Sequence, residues 1–359
     1  MRKLASIQKI VNVQVIPEAH SIDLAQVLGW RCIVDKNKWQ SGDFCVFVEI
    51  DSDLIAMKDN PAISFLEDTK WRVKSKRFMK QYIAQGLVLP LSVLPEGTVI
   101  EEDLDVTELL KIVKYEPKAF REGSPGARGE SAGDFPNHLI SKTDETRIQS
   151  KPSLLKELLD VEVYAALKMD GSSMTVAHLQ ENIRDSVTNY DGFVVCSRNQ
   201  MRKPTFRKKT GPETWGEGDD SFWALAKKEG ILERLPKGFI VQGEYVGPAV
   251  QKNRLNLKED EFYIFNVWNS IESKFLDYSE FINFCNTYNF KHVPIEGIFK
   301  ITEQTTVDSL LEMAKGEYPG GHPREGLVIR PIKERYSKRL GGRTSFKAIN
   351  NDFLIKIGE

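Results

Sequence analysis

The sequence predicts an α+β protein in which a small all-β module precedes a larger mixed domain. Three observations carry this. Residues 1–110 consist of short apolar runs cut by Gly, Pro and Asp. Residues 111–140, which include EPKAFREGSPGARGESAGDFPNH, are too rich in Gly, Ser, Pro and charge to bury a core and read as a linker. From 141 to 359, strand-like runs are interspersed with amphipathic helices. A chain of 359 residues is long enough for two domains.

In order, Ile7, Val11, Val13 and Val15 predict a strand that ends at Pro17, followed by apolar runs at Leu24–Val34 and at Phe44–Ile50 after the turn Ser41-Gly42-Asp43. Trp71–Val73 and Gly86–Leu91 complete the set. Five short strands of this kind suggest a small Greek-key barrel, although pattern alone also admits a sandwich. Further on, Pro152–Leu159 predicts a helix, Val161–Leu167 a strand, Ser221–Leu235 an amphipathic helix and Phe239–Val246 a strand. Phe262–Val267 and Leu327–Ile329 predict strands, and helical patterning recurs at 279–290 and 306–315.

Composition removes several function classes. No run approaches the roughly 18 apolar residues of a membrane span, and the start alternates apolar with polar residues, unlike a signal peptide. Cys32, Cys45, Cys196 and Cys285 form no C-x-x-C, and the histidines show no ligand spacing. Secretion and cysteine-held metal are therefore disfavoured, and a cytoplasmic or nuclear monomer is expected. With 50 basic against 51 acidic residues, any polyanion must be met by local clusters.

Three basic clusters exist. Lys70, Arg72, Lys74 and Lys76 fall at every second position, with Trp71 and Val73 among them and Arg77 beyond. On a strand this would set the cations on one face as a nucleic-acid platform; the plain alternative is a solvated face. The second cluster holds Arg198, Arg202, Lys203, Arg207, Lys208 and Lys209. The third holds Arg330, Lys333, Arg335, Lys338, Arg339, Arg343 and Lys347.

The sharpest chemical signal is Lys168-Met169-Asp170-Gly171, directly after a predicted strand. A lysine desolvated at the mouth of a strand can supply a neutral amine. Alone, K-x-D-G is weak, expected by chance in roughly one such chain in ten. Its company sharpens it. Glu244 lies near the end of an apolar strand, where a charged Glu needs a partner. Ser197-Arg198-Asn199 follows another apolar strand, Phe262–Trp268 offers aromatic surface for a base, and Glu325 heads a further apolar strand. Lys347 sits among apolar neighbours. Carboxylates that hold a divalent cation or its waters, with Lys347 and Arg198 on phosphate oxygens, are what phosphoryl chemistry needs.

In this order the segments resemble the covalent nucleotidyltransferase superfamily of polynucleotide ligases and messenger-RNA capping enzymes. K-M-D-G-S-S is similar to motif I, with Lys168 as the adenylylated lysine. Glu244 matches the motif III glutamate, Phe265 the motif IIIa aromatic, Glu325 the motif IV E-G and Lys347 the motif V lysine. Arg198 matches an arginine that RNA ligases carry between motifs I and III. Twelve residues follow Lys347, and the small β module comes first, which resembles ATP-dependent RNA ligases that join 3′-OH to 5′-phosphate ends after an N-terminal OB domain. Leu24–Trp30 and Lys142–Gln149 are similar to that class too.

The resemblance implies a core of antiparallel sheets with flanking helices, ATP and Mg²⁺ or Mn²⁺ as cofactors, and nicked RNA as partner. It implies Lys168, Gly171, Glu145, Arg147, Gln149, Arg198, Glu244, Phe265 and Lys347 at the nucleotide, and Asp170, Glu244 and Glu325 at the metal, directly or through water. Lys168, Asp170, Arg198, Glu244, Glu325 and Lys347 form the catalytic set, while Lys70, Arg72, Lys74, Lys76, Arg77 and Asn199 are expected at RNA. For Glu145, Arg147 and Gln149, capping of the helix near Leu154 is an equal alternative. Many ligases carry K-x-K in motif V, whereas Ser345 stands at the earlier position here, and whether Arg343 or Lys338 substitutes is left open. A GTP-using capping enzyme and an RNA-binding protein with an inactive core are the competing functions.

Overall fold

A computed structural model describes residues 3–115, 129–210 and 214–357. The N-terminal strands are β1 (Ala5–Val15), β2 (Ile22–Val27), β3 (Trp30–Asp35), β4 (Phe44–Val48) and β5 (Leu87–Leu89). They form one antiparallel sheet in the order β3-β2-β1-β4-β5. The Gln85 amide donates to the Arg31 carbonyl at 2.7 Å, which brings the two ends together into a nearly closed barrel. Leu24–Val34 is a hairpin rather than one strand, because Leu28 takes a positive φ of 54° and Gly29 follows it. Ile7, Val27, Trp30 and Val46 fill the barrel.

Lys70–Trp71 depart from the expected strand. A 3-10 helix over Pro61–Thr69 ends there, with φ of 54° at Lys70 and 65° at Trp71. Arg72 then forms a β-bridge with Asp53 and the next strand is Lys76–Phe78, so the four cations do not share one strand face. Lys70 and Lys76 are exposed and Lys74 half-buried, but Arg72 is buried against the carboxylate of Asp51. Alternation of charge signals a strand face only where the backbone is extended.

The remaining strands are β6 (Ser131–Asp134), β7 (Thr146–Arg147), β8 (Glu162–Lys168), β9 (Ser172–His178), β10 (Phe193–Cys196) and β11 (Gln200–Arg202). They continue with β12 (Phe239–Val246), β13 (Glu261–Asn269), β14 (Lys274–Phe275), β15 (Ile295–Lys300), β16 (Gly326–Pro331) and β17 (Phe346–Ile349). Seven make one sheet, β6-β11-β10-β9-β12-β13-β14, and five a second, β7-β17-β16-β8-β15. Pairing is antiparallel except where β7 runs parallel to β17. A basic hairpin, Thr205–Lys209 with Trp215–Asp219, stands outside both sheets; the side chains of Lys208 and Lys209 lie outside the description.

Part of the expected linker is structured. β6 pairs with β11, and Phe135 and Ile140 are buried beside Ala177 and Leu179. Residues 116–128 of that segment lie outside the described residues. The predicted helix over Ser221–Leu235 is two helices, α1 (Ser221–Lys228) and α2 (Ile231–Arg234), separated by Gly230 at φ 63°. Asp220 caps α1 by accepting from the amides of Phe222 and Trp223. Among the described residues no helix is long and apolar enough to cross a membrane.

The barrel does not stand apart. The C-terminal helix (Asn351–Ile357) presents Phe353 and Leu354, with Ile349 of β17, to the barrel's own core. Arg77, expected at RNA, instead reaches Asp352 of this helix at 2.7 Å. Phe353 is 3% exposed, so Phe353→Ala should cost about 3–5 kcal/mol. Denaturant unfolding should show the loss as one shifted transition; a midpoint unchanged from wild type would contradict the shared core.

Candidate active site

β8 belongs to the five-stranded sheet and β9 to the seven-stranded one, so Lys168-Met169-Asp170-Gly171 is the passage between them. Glycine is required at its end: a Cβ on Gly171 would lie 2.4 Å from the Tyr245 carbonyl oxygen and 2.7 Å from Val246 Cγ1. β12 is thus packed against the turn, and it carries Glu244 opposite Ser173. On the other sheet Lys168 pairs with Gly326, which places Glu325 at the head of β16 beside the lysine. Lys168 Nζ lies 2.8 Å from Glu325 Oε1. Tyr318 fastens the two strands, its hydroxyl donating to the Lys168 carbonyl at 2.6 Å while accepting the Glu325 amide at 3.1 Å.

Burial alone would lower the Lys168 pKa, but Glu325, Glu244 and Glu145 outweigh it and hold the ammonium above its ordinary range. The carboxylates are strained in the opposite sense. Burial, aided by Glu325 and Asp170 against the pull of Lys168, pushes Glu244 up to about 8. Burial and Glu325 raise Asp170 to about 6, despite its ion pair with Arg254. Acid pKa values climb where carboxylates crowd without enough positive charge, so this cluster suits an added cation. Among the described residues no three His, Cys, Asp or Glu side chains form a ready metal cage. Glu325 is engaged by Lys168 and Asp170 by Arg254, so both carboxylates face a cation of the protein in this state.

The second wall holds the aromatic. Phe265 lies on β13, and the guanidinium of Arg330, 1% exposed, sits 5.9 Å from its ring centre. Arg330 donates to the Phe265 carbonyl at 3.1 Å, to Glu145 at 2.9 Å and to Ser345 Oγ at 2.9 Å. The side chain that meets Ser345 is therefore Arg330. Arg343 is occupied by Glu334, Asn266 and the Phe275 ring, and Lys338 is exposed. Burial tends to raise the Glu145 pKa, but Arg330 and Lys347 prevail and hold it below the usual range. Asp144 gathers Lys347 at 3.4 Å and the half-exposed Arg198 at 3.9 Å.

Arg147 and Gln149, both expected at the nucleotide, are buried beside the barrel. Arg147 is buried against Asp51 of the barrel at 3.0 Å, and Gln149 is fully buried, with its carbonyl taking the Gly29 amide at 2.8 Å. Neither caps the helix near Leu154, at which no side-chain cap bond forms. Asn199, expected at RNA, accepts from Lys142 at 3.2 Å. Arg254, Tyr318 and Arg330 were missed. Arg330 could have been found, since an arginine inside the apolar run Leu327–Ile332 needs a buried partner as much as Glu244 does.

Glu325→Gln removes the foremost charge that holds Lys168 protonated, so the Lys168 pKa should fall by about one unit or more. In the enzyme without nucleotide, an amine-selective reagent should then modify Lys168 about tenfold faster at fixed pH. An unchanged rate would contradict this account of the pair.

A family model described as RNA ligase matches residues 161–349, and one described as an OB-fold domain matches residues 4–91. The Naegleria gruberi RNA ligase solved with PPi is 30% identical, with a TM-score of 0.81 and 99% of each chain covered. A lysine-to-methionine variant of that ligase with AMP and Mn, and a lysine-to-alanine variant with ATP and Mn, match with the same identity, coverage and TM-score. With the family model over more than half of its length and a full-length structural likeness at this identity, the chain belongs to the RNA ligase family.

Proposed function

We propose that the protein is an ATP-dependent RNA ligase that seals 3′-OH and 5′-phosphate ends of nicked RNA through a lysyl-AMP on Lys168, acting as a monomer. The observation that carries this is the placement of Lys168 at the junction of the two sheets, against Glu325, with Phe265 on β13 of the other sheet and the Arg330 guanidinium beside its ring. The nucleotides and manganese bound by the Naegleria enzyme support it. Residues 1–110 serve as the RNA-binding barrel and 141–359 as the catalytic domain, with Lys70, Lys74 and Lys76 offered to RNA.

Nζ of Lys168, once it has lost its proton, attacks the α-phosphorus of ATP; a P–N bond forms and the bond to pyrophosphate breaks. An oxygen of the RNA 5′-phosphate next attacks the same phosphorus, and the amine departs and regains its proton. The RNA 3′-OH finally attacks the 5′-phosphorus and AMP leaves. Division into such steps replaces one hard displacement by easier ones. Phe265 stacks on the adenine, while Lys347 and Arg198 meet phosphate oxygens or the RNA end. Asp170, Glu244 and Glu325 would hold Mg²⁺ or Mn²⁺, directly or through water. The ion, when bound, neutralises charge that develops on the α-phosphate.

A nicked RNA duplex should be sealed with ATP and not with GTP, and Lys168→Ala should abolish sealing. Undiminished sealing by Lys168→Ala would overturn the covalent route. Phe265→Ala should raise KM for ATP by about ten- to hundredfold, the worth of one base stack. Metal binding has its own test. Burial holds the Glu244 proton well above the usual carboxylate range, and a cation must displace it. Mn²⁺ affinity in the absence of RNA should therefore rise as pH increases from 6 to 8, with proton uptake by the buffer in calorimetry. Affinity that does not vary with pH would contradict carboxylate involvement.

A further inference from the structure

The barrel contributes a buried carboxylate to its contact with the catalytic domain. Asp51 Oδ1 accepts from Arg72 at 2.9 Å and Oδ2 from Arg147 at 3.0 Å, with the three side chains 11%, 10% and 7% exposed. The carboxylate is held in place from several sides. Its amide donates to the Val73 carbonyl at 3.0 Å, its carbonyl accepts the Tyr115 amide at 2.7 Å, and the Tyr115 ring lies 3.9 Å from the Arg72 guanidinium.

Arg147 is the catalytic domain's half of this contact, and its position in the chain gives the contact a role. On β7 it pairs with Lys347 of β17. Two residues earlier, Glu145 is bound by Arg330 beneath Phe265. Two residues later, the Gln149 carbonyl takes the Gly29 amide, and a Cβ on Gly29 would lie 2.8 Å from Gln149 Cα. Ser150 then donates to Glu49 of the barrel. The segment 145–150 is therefore fixed to the barrel through Arg147, Gln149 and Ser150, while Glu145 faces the base platform. A buried ion pair made of fixed groups tolerates little displacement, because a half-made pair leaves an uncompensated charge.

We propose that Asp51 is a positioning residue for ATP binding: through Arg147 it sets Glu145, held by Arg330, beneath Phe265. The barrel then acts on nucleotide capture before any RNA is bound. This inference rests on the ligase reading above.

The test is self-adenylylation of the full-length Asp51→Asn protein as a function of ATP concentration. KM for ATP should rise about tenfold or more with the maximal rate within about threefold, as for a displaced binding group remote from the chemistry. Affinity for nicked RNA without ATP should equal that of wild type. Arg147→Met, which leaves Asp51 paired with Arg72, should show the same shift, and Asp51→Asn should add nothing in that background. If Asp51→Asn does not fold, Arg147→Met carries the test alone. An unchanged KM for ATP, or a parallel fall in maximal rate, RNA affinity and melting temperature, would overturn the positioning role. A wild-type protein that takes no label from ATP would instead overturn the ligase reading.

Discussion

The ion pair between Lys168 and Glu325 bridges the end of one strand and the head of its neighbour, and the rest of the site is arranged around it. A nucleophilic lysine must be desolvated to be reactive, yet the carboxylates that suit a metal–nucleotide complex stabilise its ammonium. In the absence of nucleotide the ammonium wins, and Glu244 is left as an acid near 8. Both displacements are relieved by one event, the arrival of positive charge with a polyphosphate. Geometry follows from the same constraint: the short passage from Lys168 to Gly171 must cross between sheets, and only glycine fits under Tyr245.

Around this pair the domains behave as one structure. The C-terminal helix completes the barrel's core, and Arg31 reaches Asp308 across the boundary at 2.7 Å. Asp51 and Gly29 hold the segment that carries Glu145. A barrel docked in this manner supports the nucleotide wall as well as offering Lys70 and Lys76 to solvent.

The strands and the chemical motifs were legible in the sequence because each depends on local pattern. Phe239–Val246 is a strand over the predicted span, and Lys168 and Glu325, far apart in the chain, meet at adjacent strand ends. What was not legible depends on distant partners. The alternation of Lys70 to Lys76 misled because two left-handed residues turn the chain and Asp51 draws Arg72 inward. Phe135 and Ile140 give a polar segment enough apolar anchorage to join the sheet. Arg147 belongs to a recognisable segment, but its burial depends on a carboxylate nearly a hundred residues earlier in the chain. Ser345 made sense only once Arg330 was seen to fill its neighbourhood.

The central claim is that Lys168 is the nucleophile and that its environment, rather than its motif alone, makes it so. The most direct measurement is to incubate the wild-type protein with ATP and Mn²⁺, digest it under conditions that preserve P–N bonds, and locate the nucleotide by mass spectrometry. The account predicts a single AMP on the peptide that contains Lys168. An AMP on any other residue, or efficient sealing with no covalent nucleotide at any time, would contradict it.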